Sequence, residues 1–198
     1  MLRDVDPFSD AFLAQRSCQP ETLVAITHLA LEIAREGREG RKIGALFTVG
    51  DHQAVLARSR PLILDPLHGH PPERTRIEDA SVRETLKELA QLDGAFVVTD
   101  EGVAVAACRY LSASAEGIEL PLGLGTRHMA AASITRDTDA VAVVVSESSM
   151  VRVFDDGDLV AEIVPEVWIL RQAERRARDL EKARAARGEH EASTTDAP

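Results

Sequence analysis

The sequence predicts an α/β chain, with α+β as the neighbouring class, built on a mixed central β-sheet flanked by helices. Three observations carry that expectation. Apolar residues at three- and four-residue spacing alternate along the chain with short apolar runs, so helical and extended periods are interleaved. Residues Ala140–Val145 form an unbroken, valine-rich run, the pattern of a central strand buried on both faces. Asp156-Gly157 separates two apolar segments, Met150–Phe154 and Leu159–Val164, as a tight hairpin turn does.

Taken in order, residues 1–20 are mixed in character and read as an N-terminal arm. From Glu21 to Glu36, Leu23, Ile26, Ala30 and Ile33 keep helical spacing, and Gly37 and Gly40 stop the helix. Ile43–Val49 reads as a buried strand closed by Gly50-Asp51, and Ala54–Ala57 is expected to fold back on it as a hairpin. The stretch 59–76, rich in Pro, Gly and His, reads as loop. Ala80–Gln91 returns to helical spacing through Val82, Leu86 and Leu89, with Ser81 and Glu84 spaced as a capping box. Two strands follow, Gly94–Thr99 and Val103–Tyr110, joined by Asp100-Glu101-Gly102. A polar loop then leads to a helix starting near Arg127. The domain expected from this pattern covers 21–164, followed by an arginine-rich helix at 165–187 and a disordered tail at 188–198.

With 198 residues the chain is one ordinary domain with terminal additions. It buries roughly 70% of its unfolded surface and needs no disulfide or structural metal to hold together. The 33 acidic residues against 23 basic ones, a net charge of −10, exclude a general nucleic-acid coat, which needs a positive field. Two cysteines, Cys18 and Cys108, are too few for a disulfide framework and point to a reducing cytoplasm. The N-terminal residues lack the basic start and apolar core of a secretory leader, and no apolar run is long enough to span a membrane.

Three segments place reactive side chains beside small residues at the ends of elements. In Leu92-Asp93-Gly94-Ala95 the carboxylate can ligate a metal or accept a proton while Gly94 lets a ligand near the backbone; a plain turn is the alternative. In Gly123-Leu124-Gly125-Thr126-Arg127-His128, glycines before a helix start expose N–H groups, and Thr126, Arg127 and His128 add donors. That segment is phosphate-binding or a helix cap with a surface Arg-His pair. It is neither a Walker A loop nor a dinucleotide fingerprint. In Val145-Ser146-Glu147 a carboxylate ends the most buried strand, where it is either solvated or able to share a divalent metal with Asp93. His68-Gly69-His70 reads as loop rather than metal site, Cys108 as core, and His28 as a packed helix residue.

Together these segments resemble the diadenylate cyclase domain. Asp93-Gly94-Ala95, Gly125-Thr126-Arg127-His128 and the Ser146-Glu147 pair after a strand follow that family's order, and GRKIGALFTVGD at 40–51 and DPLHGH at 65–70 are similar to its upstream segments. The resemblance spans about residues 40–164 and implies a mixed sheet flanked by helices. It implies condensation of two ATP into cyclic di-AMP, with a divalent metal, Mn²⁺ or Mg²⁺, as cofactor. Carried over, Asp93 and Glu147 hold the metal and Asp93 helps deprotonate the ribose 3′-hydroxyl. Gly94, Ala95, Gly125 and Ser146 contact the nucleotide, Leu111 lies against the adenine, and Thr126, Arg127 and His128 hold the phosphates. Arg127 and His128 are thereby catalytic.

The resemblance also implies a face-to-face homodimer or higher homo-oligomer, because each bound ATP must attack the other. Some relatives carry membrane or DNA-binding segments; this chain resembles a stand-alone soluble form, with neither membrane nor nucleic-acid partner expected. It departs from the family at Met129, which stands where a second arginine is usual within the nucleotide-binding turn, and a nearby arginine such as Arg109 is a possible substitute. Read as degeneration, Met129 instead marks a catalytically silent module that binds ATP or cyclic di-AMP. The retained Asp93 and Glu147 favour the enzyme.

Overall fold

The computed structural model describes residues 18–168 and 170. Most of the expected N-terminal arm, and the C-terminal helix and tail from 171 on, lie outside the described residues. The chain divides into two compact units, 1–163 and 164–198. In the second, residues 165–168 are helical.

The first unit begins with helix α1, Pro20–Glu36, and strand β1, Ala45–Val49. Helix α2, His52–Ala57, and the short strand β2, Ser59–Pro61, follow. After a 3₁₀ turn at Pro72–Arg74 come helix α3, Ala80–Leu89, and strands β3, Ala95–Val98, and β4, Ala104–Leu111. Helix α4, Thr126–Asp137, then leads to β5, Val141–Val145, β6, Val151–Asp155, and β7, Asp158–Ile163. The strands form one seven-stranded sheet in the order β2-β4-β3-β1-β5-β6-β7. Only β1 and β3 run parallel; β5 is antiparallel to β1.

Burial explains why β1 and β5 sit in the middle. Both are buried at every residue. Leu46, Ala142 and Val144 share a cluster with Ala131, Ala132 and Ile134 of α4. Because neighbouring residues of a strand point to opposite faces, Phe47 and Val143 face the other way. There α1 packs on β1, β5 and β6, burying Leu23, Ile26 and Leu29. Phe47 stacks on Phe96 of β3 with ring centroids 4.8 Å apart, a pair worth about 1 kcal/mol beyond area burial. The β6–β7 hairpin turns through Asp156 and Gly157, both at positive φ (50° and 81°), as the right-handed twist of the strands requires.

Three expectations give way. Ala54–Ala57 is not a strand but part of α2: both edges of β1 are taken, by β3 and β5, so no hairpin partner fits beside it. The chain instead leaves β1 through Gly50 and a left-handed Asp51 (φ 37°) into the helix. Residues 59–61, expected as loop, pair with β4 as an edge strand, the one place in a sheet where Pro61 is tolerated. The cap of α3 is Asp79, which accepts a hydrogen bond from the Ser81 N–H at 2.8 Å; Ser81 is already inside the helix.

Candidate functional site

Register brings three distant segments to one rim of the sheet. Ala45 of β1 pairs with Val145 of β5, and Leu46 pairs with Ala95 of β3. The residues just before β1 and β3, Gly44 and Asp93-Gly94, therefore lie beside those just after β5, Ser146-Glu147. In an all-parallel sheet the carboxyl ends of strands gather ligands. In this mixed sheet the rim joins the carboxyl end of β5 to the amino ends of β1 and β3.

Gly94 has φ 110°, and a Cβ there would stand 2.5 Å from the Cys108 carbonyl carbon and 2.7 Å from the Arg109 nitrogen. This close approach coincides with a bulge: the pairing shifts between Ala95↔Arg109 and Val97↔Ala106, with Cys108 at φ 54°. Only glycine meets both demands, and Asp93 is aimed outward by the turn it makes. Asp65 supports the bulge, its Oδ1 accepting from the Ala107 and Leu67 N–H groups at 3.0 and 2.9 Å. Cys108 is buried, and desolvation, then Asp65 and Asp93, raise its thiol pKa, so it is an inert core thiol as expected.

Arg127, in the first turn of α4, joins the two carboxylates. Its Nη2 lies 3.4 Å from Asp93 Oδ1 and its Nη1 lies 3.5 Å from Glu147 Oε1. The Arg127 side chain is 36% exposed, while Asp93 and Glu147 are 87% and 73% exposed. Gly44 makes room for the guanidinium: a Cβ on it would fall 2.5 Å from Nη1 and 2.9 Å from Cζ. Sequence reasoning missed Gly44, although a glycine directly before a buried strand was the available signal.

His128 is turned inward. It is 7% exposed, and its Nδ1 accepts from the Gly125 N–H at 3.2 Å, a histidine doing the work of the acid in a capping box. Its Nε2 stands 3.3 Å from Arg152 Nη1, and Arg152 in turn donates to Glu162 at 2.6 Å. Burial, then Arg152 and Arg127, push the His128 pKa below its ordinary value against the smaller pull of Glu162. The ring is therefore neutral at neutral pH; with Nδ1 accepting from Gly125, the ring proton sits on Nε2, which faces the Arg152 guanidinium without accepting from it. Arg152 and Glu162 carried no sequence signal, since only the β6–β7 pairing puts them there.

Other residues fall as follows. Thr126 and Gly125 are exposed at the start of α4, Met129 is half-buried one residue past His128, and Ala95 is buried in β3. The Ser146 hydroxyl donates to the Met150 carbonyl at 3.1 Å, accepts from its N–H at 3.2 Å and lies 2.8 Å from Ser148 Oγ, closing the turn that presents Glu147. Leu111 is only 8% exposed and belongs to the apolar cluster under α4. Arg109 does not reach towards α4: its Nε and Nη2 donate to the Ser59 hydroxyl and carbonyl, fixing the edge strand. His68 and His70 are exposed loop residues, and His28 is exposed rather than packed. Among the described residues, no three His, Cys, Asp or Glu side chains gather as a metal cluster. Two hard carboxylates flanking one gap do suit Mg²⁺ or Mn²⁺, which take one or two protein carboxylates and fill the remaining positions with phosphate oxygens and water.

The family model described as DisA bacterial checkpoint controller nucleotide-binding (DAC) matches residues 32–159. The chain is 49% identical over 153 residues to the diadenylate cyclase of Methanocaldococcus jannaschii, covering 77% of this chain and 48% of that protein. It is 44% identical over 160 residues to the diadenylate cyclase of Haloferax volcanii, covering 80% and 58%. The chain thus spans about half the length of the curated relatives it matches. Among solved structures, a double mutant of DacA from Staphylococcus aureus shares the fold, with a TM-score of 0.52 at 24% identity, covering 78% of this chain and 94% of that one.

Proposed function

The chain belongs to this DAC nucleotide-binding family, and on that premise we propose that it is a diadenylate cyclase, condensing two ATP into cyclic di-AMP and two pyrophosphates. The observation that carries the reading is the meeting of Asp93, Arg127 and Glu147 from three distant segments at one sheet rim. In each half-reaction a ribose 3′-oxygen forms a bond to the α-phosphorus of the other ATP, and the bond to pyrophosphate breaks. Asp93, exposed and held at the rim, accepts the hydroxyl proton. Arg127 and the free N–H groups opening α4 bind phosphate oxygens as charge builds on them. A divalent cation held by Asp93 and Glu147 supplies further neutralisation of that charge when bound.

His128 serves as a positioning residue: neutral and enclosed, it ties the Gly125 N–H into the turn that offers Thr126 and Arg127 to the phosphates. Ser146 likewise shapes the loop carrying Glu147. Since Arg109 is engaged with Ser59, Met129 goes uncompensated from that side, and turnover is expected below that of a site with two arginines. Attack of each ATP on the other requires two protomers face to face, a C2 homodimer. No helix among the described residues is long and apolar enough to cross a membrane, and Cys18 and Cys108 are free; we place the cyclase domain at 21–164, in the cytoplasm.

The test is turnover by the purified chain with ATP and either Mn²⁺ or Mg²⁺, at low and molar salt, with products resolved by mass. Cyclic di-AMP is the expected product. Calorimetric ATP binding without product under all four conditions would instead establish the silent binding module.

A further inference from the structure

We propose that Arg127 is a built-in counter-cation for the Asp93/Glu147 pair, seated by Gly44, and that it must leave this seat before a divalent cation can use both carboxylates. The inference rests on the reading of the site given above. Each terminal nitrogen of the guanidinium faces one carboxylate, Nη2 towards Asp93 and Nη1 towards Glu147. A Mg²⁺-sized cation must approach an oxygen of each to about 2.1 Å, which puts it in the gap that the guanidinium fills. Two cations cannot share that gap without mutual repulsion.

The seat is specific, yet easy to leave. Any side chain at Gly44 would press on Nη1 and Cζ and approach the Val145 carbonyl at 3.3 Å, so the guanidinium lies against bare backbone. Its two contacts, at 3.4 and 3.5 Å, are longer than the roughly 2.8 Å of a strong charged hydrogen bond, and both carboxylates are mostly exposed. The triphosphate of an arriving nucleotide offers the same guanidinium a better, bidentate partner. Nucleotide binding then draws Arg127 onto phosphate and frees the carboxylates, so nucleotide and metal bind with positive coupling. Before the nucleotide arrives, Arg127 neutralises the pair and holds metal affinity down.

The experiment is a Mn²⁺ titration of the full chain, followed by the electron paramagnetic resonance signal of free Mn²⁺, with and without the α,β-methylene analogue of ATP. Without nucleotide, Arg127→Gln is expected to bind Mn²⁺ about tenfold more tightly than wild type. The tightening that the analogue produces in wild type should shrink in the variant. Gly44→Ala, which keeps the arginine but displaces it, should shift nucleotide-free affinity in the same direction by less. Unchanged or weaker Mn²⁺ binding in Arg127→Gln, with its circular dichroism intact, would overturn the proposal. If wild type makes cyclic di-AMP while that affinity stays unchanged, this inference fails alone. If no product forms yet the affinities shift as expected, the cyclase reading fails and the counter-cation stands.

Discussion

Lys87 and Arg127 each stand among carboxylates brought from other segments, joined for Lys87 by Glu84 of its own helix, but one is locked in place and the other is loosely seated. Lys87 Nζ lies 2.6 Å from Glu84, 3.1 Å from Glu32 and 3.2 Å from Glu36, with its side chain 5% exposed. Burial works against its charge, yet those three carboxylates outweigh it and hold its pKa above the ordinary lysine value. It joins α1 to α3, and Arg38 extends the network with Nε 2.8 Å from Glu88. Arg127, at 3.4 and 3.5 Å from two mostly exposed carboxylates, has little holding it. Short contacts round a buried cation build structure; long contacts round an open one leave charge available for a ligand.

The sharpest way to break this contrast is to remove one charge from each cluster. Asp93→Asn should lower cyclic di-AMP formation at least about 100-fold while leaving the melting midpoint almost unchanged, because the side chain is exposed. Lys87→Met should do the reverse, costing about 2 kcal/mol in urea unfolding by leaving three carboxylates facing one another, with activity per folded molecule retained. If the two variants exchanged these effects, the division between structural and functional clusters would be wrong.

A smaller effect tests how far the turn opening α4 is short of charge. Met129→Arg restores a guanidinium beside Arg127, and a charged hydrogen bond to phosphate is worth about 1.5–3 kcal/mol. Initial-rate kinetics should show kcat/KM rising by about tenfold or more. A fall would mean that the half-buried Met129 packs in a way arginine cannot.

The smallest effect concerns His128. Its folded pKa lies below the unfolded value of about 6.5, so between the two values the unfolded chain binds the extra proton. Stability conferred by the neutral ring is present above pH 6.5 and is lost as pH falls through the folded pKa, with a slope of up to about 1.4 kcal/mol per pH unit. Urea unfolding between pH 5 and 7.5 should show this slope in wild type and lose it in His128→Gln. The same slope in both would assign it to other groups.

Much of this arrangement could be read from residue order alone, where local chemistry decides it. Periodicity found α1 and α3, valine density found β5, and Asp156-Gly157 found the last hairpin, because each signal lies within a few residues. The Asp-Gly-Ala, Gly-Thr-Arg-His and Ser-Glu segments pointed to the site for the same reason. What failed depended on partners distant in the chain. Ala54–Ala57 looked like a strand until β3 and β5 occupied both edges of β1. Arg109 looked available until Ser59 claimed it, and His128 looked open until Gly125 and Arg152 enclosed it. Gly44 has meaning only beside Arg127, a residue 83 positions further along.

The most direct measurement of the central claim is the stoichiometry of ATP turnover by the wild-type chain with Mn²⁺, read by mass spectrometry and pyrophosphate release. The rim formed by Asp93, Arg127 and Glu147 predicts one cyclic di-AMP and two pyrophosphates for every two ATP consumed. ATP that binds but remains intact with either Mn²⁺ or Mg²⁺ would contradict it.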